Sequence, residues 1–124
     1  MKIQRGSAAA PFITADGSQI REFLNPGNSS LKNQSLAEAT LAPGKSTTEH
    51  YHPLAEEIYF ILQGQARMRV EGEESEMGPG DSVAISNGQR HKIWNIGEES
   101  LVFLCCCAPG YSHEDTVLVE TEER

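Results

Sequence analysis

The chain has 124 residues, 18 Asp and Glu against 10 Lys and Arg for a formal net charge of −8, and 38% hydrophobic residues. That length fits one domain, with enough apolar side chains to bury a core without staples. The acidic balance excludes nucleic acid and anionic membrane surfaces as main partners, and no apolar run approaches the length of a membrane span.

The first twelve residues hold Lys2, Arg5 and the small-residue run at 7–10, but their apolar stretch is too short and too weak for a signal peptide. A cytoplasmic location is expected. Residues 1–30 are polar and rich in turn formers, with breaks at Asp16-Gly17 and Asn25-Pro26-Gly27. They read as an N-terminal segment of short strands and loop, available as a dimer arm. Residues 20–24 fit either a short strand or one helical turn. At 34–41 polar and apolar residues interleave and Pro43-Gly44 closes the run, which predicts a strand.

Seven more strand candidates follow at 46–52, 57–62, 65–71, 74–77, 82–86, 91–95 and 100–107. Turn residues separate them each time: Pro53, Gln63-Gly64, Glu71-Gly72, Gly78-Pro79-Gly80, Asn87-Gly88 and Gly97. Eight short strands at this spacing predict an all-β sandwich or small barrel over 31–119. In 57–62, Glu57, Tyr59 and Ile61 share one face, so Tyr59 points into the same cavity as the carboxylate. Ile58, Phe60 and Leu62 make the other face wholly apolar, and the first thirty residues or a second subunit must cover it. Arg67 and Arg69 point away from Ala66, Met68 and Val70 as a solvated basic face. Cys105, Cys106 and Cys107 are consecutive with no partner elsewhere, so they read as reduced thiols filling small core spaces rather than as a disulfide. The sharper alternative places one of them in the pocket as an oxidation-sensitive thiol. His113 and Asp115 belong to a polar, turn-like stretch read as surface loop or as closing the barrel mouth. An acidic tail over 120–124 is expected to be disordered.

The chemistry concentrates in 44–64. Alternation on a strand puts His50 and His52 on one face, roughly 7 Å apart along it. Two imidazoles so placed can close on one metal ion. Pro53 interrupts the ladder, so the chain bends over 53–55 and returns a carboxylate toward the pair. His-x-His with an acid a few residues on suits a borderline divalent metal, although alone it also fits two surface histidines on an edge strand.

A second stretch, 80–95, joins the first. Gly44, five residues, His50-x-His52, four residues, Glu57, six residues, Gly64 resembles the first motif of the cupin family at every position. Gly80, five residues, Ser86-x-Gly88, two residues, His91, three residues, Asn95 resembles the second, with Ser86 standing where the family has proline. Asn87-Gly88 still supplies strong turn chemistry there. Fifteen residues separate Gly64 from Gly80, and the two motifs cover the middle two-fifths of the chain.

The resemblance implies a cupin jelly-roll barrel, a double-stranded β-helix, and it implies His50, His52, Glu57 and His91 as metal ligands. Glu56 competes with Glu57, but only Glu57 keeps six residues before Gly64. Three imidazoles and one carboxylate suit one divalent ion per chain, iron or manganese by expectation, with nickel, zinc, cobalt and copper also suited. About two positions of an octahedral ion then stay open for a small oxygenated or anionic molecule. Asn95 is expected to fasten a turn or the loop that carries His91. The family also forms dimers through an apolar sheet, so a homodimer is expected. Resembling single-domain proteins are described as dioxygenases, sugar isomerases or polyketide-tailoring proteins. A metalloenzyme that activates dioxygen, or that polarises a carbonyl for isomerisation or decarboxylation, is therefore the first reading, with Tyr59 as acid–base candidate ahead of Glu56, Glu38 and His113. A non-catalytic metal-dependent binder or sensor is the alternative, and a module with a structural metal is the third class.

Overall fold

A computed structural model describes residues 1–119; the expected tail at 120–124 lies outside the described residues. The strands are β1 (Phe12–Ile13), β2 (Gln19–Leu24), β3 (Ser35–Leu41), β4 (His50–Tyr51), β5 (Glu56–Gln63), β6 (Ala66–Val70), β7 (Glu73–Met77), β8 (Ser82–Ile85), β9 (His91–Asn95), β10 (Leu101–Ala108) and β11 (Val117–Leu118). They form two antiparallel sheets, β1-β2-β3-β10-β5-β8 and β11-β4-β9-β6-β7. This is the expected all-β jelly roll, two sheets face to face with the core between them. No helix among the described residues is long and apolar enough to cross a membrane.

Seven of the eight expected strands lie within one residue of their predicted ends, and the open choice at 20–24 resolves to strand β2. The stretch 46–52 departs from expectation. Only His50–Tyr51 is regular strand, with an isolated bridge from Ser46 to Trp94. The reason is local. Thr47 Oγ1 accepts from the Ile93 N–H at 3.1 Å, and the Thr48 N–H goes to the Asp16 carbonyl at 2.7 Å, so groups a ladder would use are engaged elsewhere. Two strands of two residues each, β1 and β11, were too short to carry a periodic signal.

Strand alternation sorts the interior. On β10, Leu101, Phe103, Cys105 and Cys107 point inward, and the register sets Phe103 opposite Ile61, Cys105 opposite Tyr59 and Cys107 opposite Glu57. One end of the interior is consequently apolar, built on Ile61, Ile93, Leu101 and Phe103, each at most 1% exposed. The other end carries the histidines and Glu57. The first thirty residues add β1 and β2 at the edge of the larger sheet, and residue 6 reaches Arg21 on the outer side of β2, where Arg21 Nη1 donates to the Gly6 carbonyl at 3.0 Å. Ile58, Phe60 and Leu62 on that face are 49%, 38% and 44% exposed. Arg67 and Arg69 are not simply solvated: Arg67 lies 3.8 Å from Glu74 and 3.7 Å from Glu76, while Arg69 pairs with Glu49 and stacks on Trp94.

Gly64 shows why a glycine ends β5. Its φ is +93°, and a Cβ there would sit 3.0 Å from the Ser100 oxygen and 3.1 Å from Leu101 Cα, both main-chain atoms that cannot step aside. Gly72 has φ +84° with nothing within 4 Å of the added carbon. Gly64→Ala is expected to lower the unfolding free energy by about 1–3 kcal/mol and by more than Gly72→Ala, as read from urea titrations.

Candidate metal centre

Three imidazoles meet because β4 and β9 are neighbours and His50 stands directly opposite His91 in their register. Their ring centroids are 4.3 Å apart, with His52 at 5.1 Å from His50 and 5.5 Å from His91. All three are buried, at 1%, 4% and 0% exposure for His50, His52 and His91. Each Nδ1 reaches a main-chain carbonyl oxygen: His50 to Thr48 at 2.7 Å, His52 to Asp115 at 3.0 Å, His91 to Gln89 at 3.0 Å. A carbonyl only accepts, so each Nδ1 donates and each neutral ring turns an Nε2 lone pair inward. The three ligand atoms lie within 4.8 Å of one another, a spacing compatible with one metal ion.

Glu57 arrives from the opposite sheet. After His52 the chain leaves β4, bends over 53–55 and enters β5. The buried Asp115 carboxylate clamps that bend, accepting from the Leu54 N–H at 2.8 Å and the Ala55 N–H at 2.9 Å. The turn after β8 clamps it too, since the Gly88 N–H donates to the His52 carbonyl at 2.7 Å and Asn87 Nδ2 to that of Pro53 at 3.3 Å. That turn closes through Gln89 N–H to Ser86 O at 3.1 Å, so serine serves where the motif has proline. Glu57 Oε1 ends 3.3 Å from His52 Nε2 and 3.3 Å from His91 Nε2, while the Cys107 thiol donates to Oε2 at 3.3 Å. The Oε1 contacts lack hydrogen-bond alignment, so His52 Nε2, His91 Nε2 and Glu57 Oε1 are buried without partners.

Charge follows the geometry. Burial pushes the Glu57 carboxyl up, but His52 and His91, 3.3 Å away and donating to it when they carry a proton, outweigh that and bring it down to about 2, so it is ionised at neutral pH. Burial and the neighbouring His91 hold His50 below the usual histidine range. Burial pushes His52 down as well, and Glu57 outweighs that and leaves it raised. Burial and the Glu57 charge push the Cys107 thiol up, so it stays a protonated donor.

A cavity of about 30 Å³ adjoins these groups, lined among others by Tyr59, Phe103, Cys105, Cys107 and Tyr111. Tyr59 is 2% exposed, its ring 5.8 Å from His91 and 4.7 Å from Phe103. Glu56 faces solvent, Glu38 pairs with Arg21 at 2.8 Å, and His113 is exposed beside Tyr111, so none of the three reaches this cavity. Asn95 fastens the turn at the far end of β9, binding the Leu41, Glu99 and Gly97 main chain. Two cysteines line the cavity, and Cys106 faces outward. Asp16, read from sequence only as a turn marker, also lines it, with Oδ2 3.4 Å from His50 Nε2.

Residues 37–107 match the Cupin domain family. An uncharacterized protein of Methanocaldococcus jannaschii is 47% identical over 110 residues, 89% of this chain and 88% of that one. The tetracenomycin polyketide synthase protein TcmJ of Streptomyces glaucescens is 36% identical over 91 residues, and the match spans 73% of this chain and 60% of TcmJ. The crystal structure of a predicted oxalate decarboxylase of Thermotoga maritima superposes with a TM-score of 0.77 at 25% identity, covering 87% of this chain and 99% of that one. A match over more than half the sequence and a close full-length relative agree with the jelly roll and its histidine cluster: this chain belongs to the cupin family.

Proposed function

We propose that this protein is a metal-dependent cupin enzyme in which His50, His52, Glu57 and His91 hold one divalent ion, with Tyr59 addressing a small oxygenated substrate beside it. The observation that carries this reading is the trio of buried, unpartnered acceptors His52 Nε2, His91 Nε2 and Glu57 Oε1. Acceptors facing one another out of water each cost about 1–3 kcal/mol unless a cation or proton lies between them. Three imidazoles and a carboxylate are a donor set that fits a borderline divalent metal, with iron or manganese expected. When bound, such an ion supplies Lewis acidity toward a substrate oxygen.

The remaining roles belong to the chain. Burial and the Glu57 charge push the Tyr59 hydroxyl well above the usual tyrosine range, so it keeps its proton and serves as a hydrogen-bond donor to a substrate oxygen. Cys107 and Asp115 position ligands rather than react: one fixes Glu57 Oε2, the other fixes His52 Nδ1 and the bend. A cavity of about 30 Å³ holds about two water-sized groups, which limits the substrate, or the part of it that enters, to a few heavy atoms. The second reading is a non-catalytic metal-dependent binder of the same ligand class. What favours it is that Tyr59 does not ionise near neutral pH and so offers no base. Oxygen uptake would mark a dioxygenase, and aldose–ketose exchange without it an isomerase. Metal-dependent binding without turnover of any candidate marks the binder.

We also propose that a second copy of the chain covers the apolar outer face, where Leu104 stands opposite Phe60 and Cys106 opposite Ile58. Phe60→Glu is expected to convert a concentration-dependent dimer to monomer in sedimentation equilibrium; a wild-type monomer at all concentrations would remove the proposal.

Elemental analysis of the purified protein is expected to give close to one divalent ion per chain. His52→Ala should weaken its affinity by at least about 100-fold, and His113→Ala should leave it unchanged. Equal losses from both would show that the ligands are misassigned. Asp115→Ala is expected to weaken metal binding by about 10–100-fold while removing no ligand, and to cost about 1–3 kcal/mol in stability, read by metal titration and urea unfolding.

A further inference from the structure

Resting on that metal reading, we propose that Asp16 is a fifth protein donor to the ion, and that it turns the site toward a neutral, single-point oxygen ligand and away from a chelating dianion. Asp16 sits at the tip of the hairpin joining β1 to β2. Its Oδ1 is fully engaged, accepting from Thr14 Oγ1 at 2.6 Å, Ser18 Oγ at 2.7 Å and Ser18 N–H at 2.9 Å. Thr14 and Ser18 are themselves buried, at 7% and 2% exposure. With Oδ1 held, Oδ2 is aimed at His50 Nε2, 3.4 Å away. Glu57 repeats the arrangement from the opposite side, with Oε2 held by Cys107 and Oε1 3.3 Å from His52 and His91 Nε2.

The hairpin tip is tied to the strand that carries His50. The Thr48 N–H donates to the Asp16 carbonyl at 2.7 Å, and the Thr48 carbonyl accepts from His50 Nδ1 at 2.7 Å. That second bond fixes the hydrogen on Nδ1, so the neutral ring presents a lone pair to the Asp16 carboxylate. A cation between these two acceptors, 3.4 Å apart, would relieve their repulsion, as it would between Glu57 and its two unpartnered imidazoles.

Two consequences follow for the ligand. Three imidazoles and two carboxylates leave about one open position on an octahedral ion, too few for bidentate chelation. Two carboxylates also cancel the charge of a divalent ion, and the cavity wall adds Glu22 with no lysine or arginine. A dicarboxylate would therefore meet no net attraction. A carbonyl, an alcohol or another neutral oxygen donor meets none of that repulsion. The T. maritima structure whose name carries oxalate shares the fold, and Asp16 lies outside the matched residues 37–107.

The test uses full-length metal-stripped protein, Mn²⁺ as probe, and oxalate as chelating competitor. Free Mn²⁺ is read by electron paramagnetic resonance and bound water by proton relaxation. Asp16→Ala is expected to weaken Mn²⁺ by about 10–100-fold, to raise the relaxation per bound ion about twofold as one coordinated water becomes two, and to tighten oxalate by at least about 10-fold. Asp16→Asn keeps the shape of the hairpin and removes the charge, so it should tighten oxalate as well, and an unchanged melting temperature of the stripped protein certifies its fold. Unchanged affinity, relaxation and oxalate binding in both variants, with His52→Ala still losing the ion, would overturn the role of Asp16 and leave the four-ligand reading standing. Wild-type protein that takes up no Mn²⁺, iron or zinc would overturn both.

Discussion

The structure turns on a cluster of buried hydrogen-bond acceptors that point at one another. His52 Nε2, His91 Nε2 and Glu57 Oε1 have no partner, and a neutral His50 adds a fourth inward lone pair. Leaving such groups unpaired opposes folding by roughly 1–3 kcal/mol each, a large fraction of the stability of a small domain. The cost is tolerable only if something positive occupies the space between them. The other nitrogen of every ring is spent on a carbonyl, so no rotation or tautomer exchange relieves the clash without breaking a main-chain bond. The fold thus turns the imidazoles and Glu57 toward a common point, an arrangement compatible with a metal ion or a shared proton.

Two sheets are needed to make that commitment. His50 and His91 come from paired strands of the smaller sheet, Glu57 and Cys107 from paired strands of the larger one. The bend over 53–55 carries the chain from one sheet to the other, and Asp115 holds it by two main-chain N–H groups while its own carbonyl takes His52 Nδ1. Below the polar layer, Tyr59 over Phe103 and then Ile61, Ile93 and Leu101 fill the interior. This apolar floor keeps water from the carboxylate and histidines from beneath.

Much of this was legible in the sequence, for reasons that differ by residue. Alternation placed His50 with His52, and Glu57 with Tyr59, because a strand has no freedom about which face a side chain takes. Turn residues placed the strands. The position of His91 in space was not available from periodicity, since pairing between β4 and β9 is a long-range fact; the resemblance supplied it. Cys107, Asp115 and Asp16 carried no local signal. Cys107 read as one of three small core residues, and only the register with Glu57 distinguishes it from Cys106. Asp115 acts through a contact with residues 60 and 61 positions earlier. The stretch 46–52 read as continuous strand because its side chains alternate properly, while the facing Ile93 N–H is taken by the Thr47 hydroxyl and the Thr48 N–H goes to the Asp16 carbonyl.

A carboxylate near a metal position can swing, and what it does depends on which of its oxygens is free. Both acids here have one oxygen tied by short side chains and the other left pointing at an imidazole. They differ in what carries them. Glu57 rides on β5, a central strand paired on both edges, and its position is as rigid as the sheet. Asp16 rides on a hairpin whose β1 has two residues and whose tip joins the barrel through a single main-chain bond to Thr48. One side of the site is consequently held by a central strand, and the other by a short hairpin pinned at its tip.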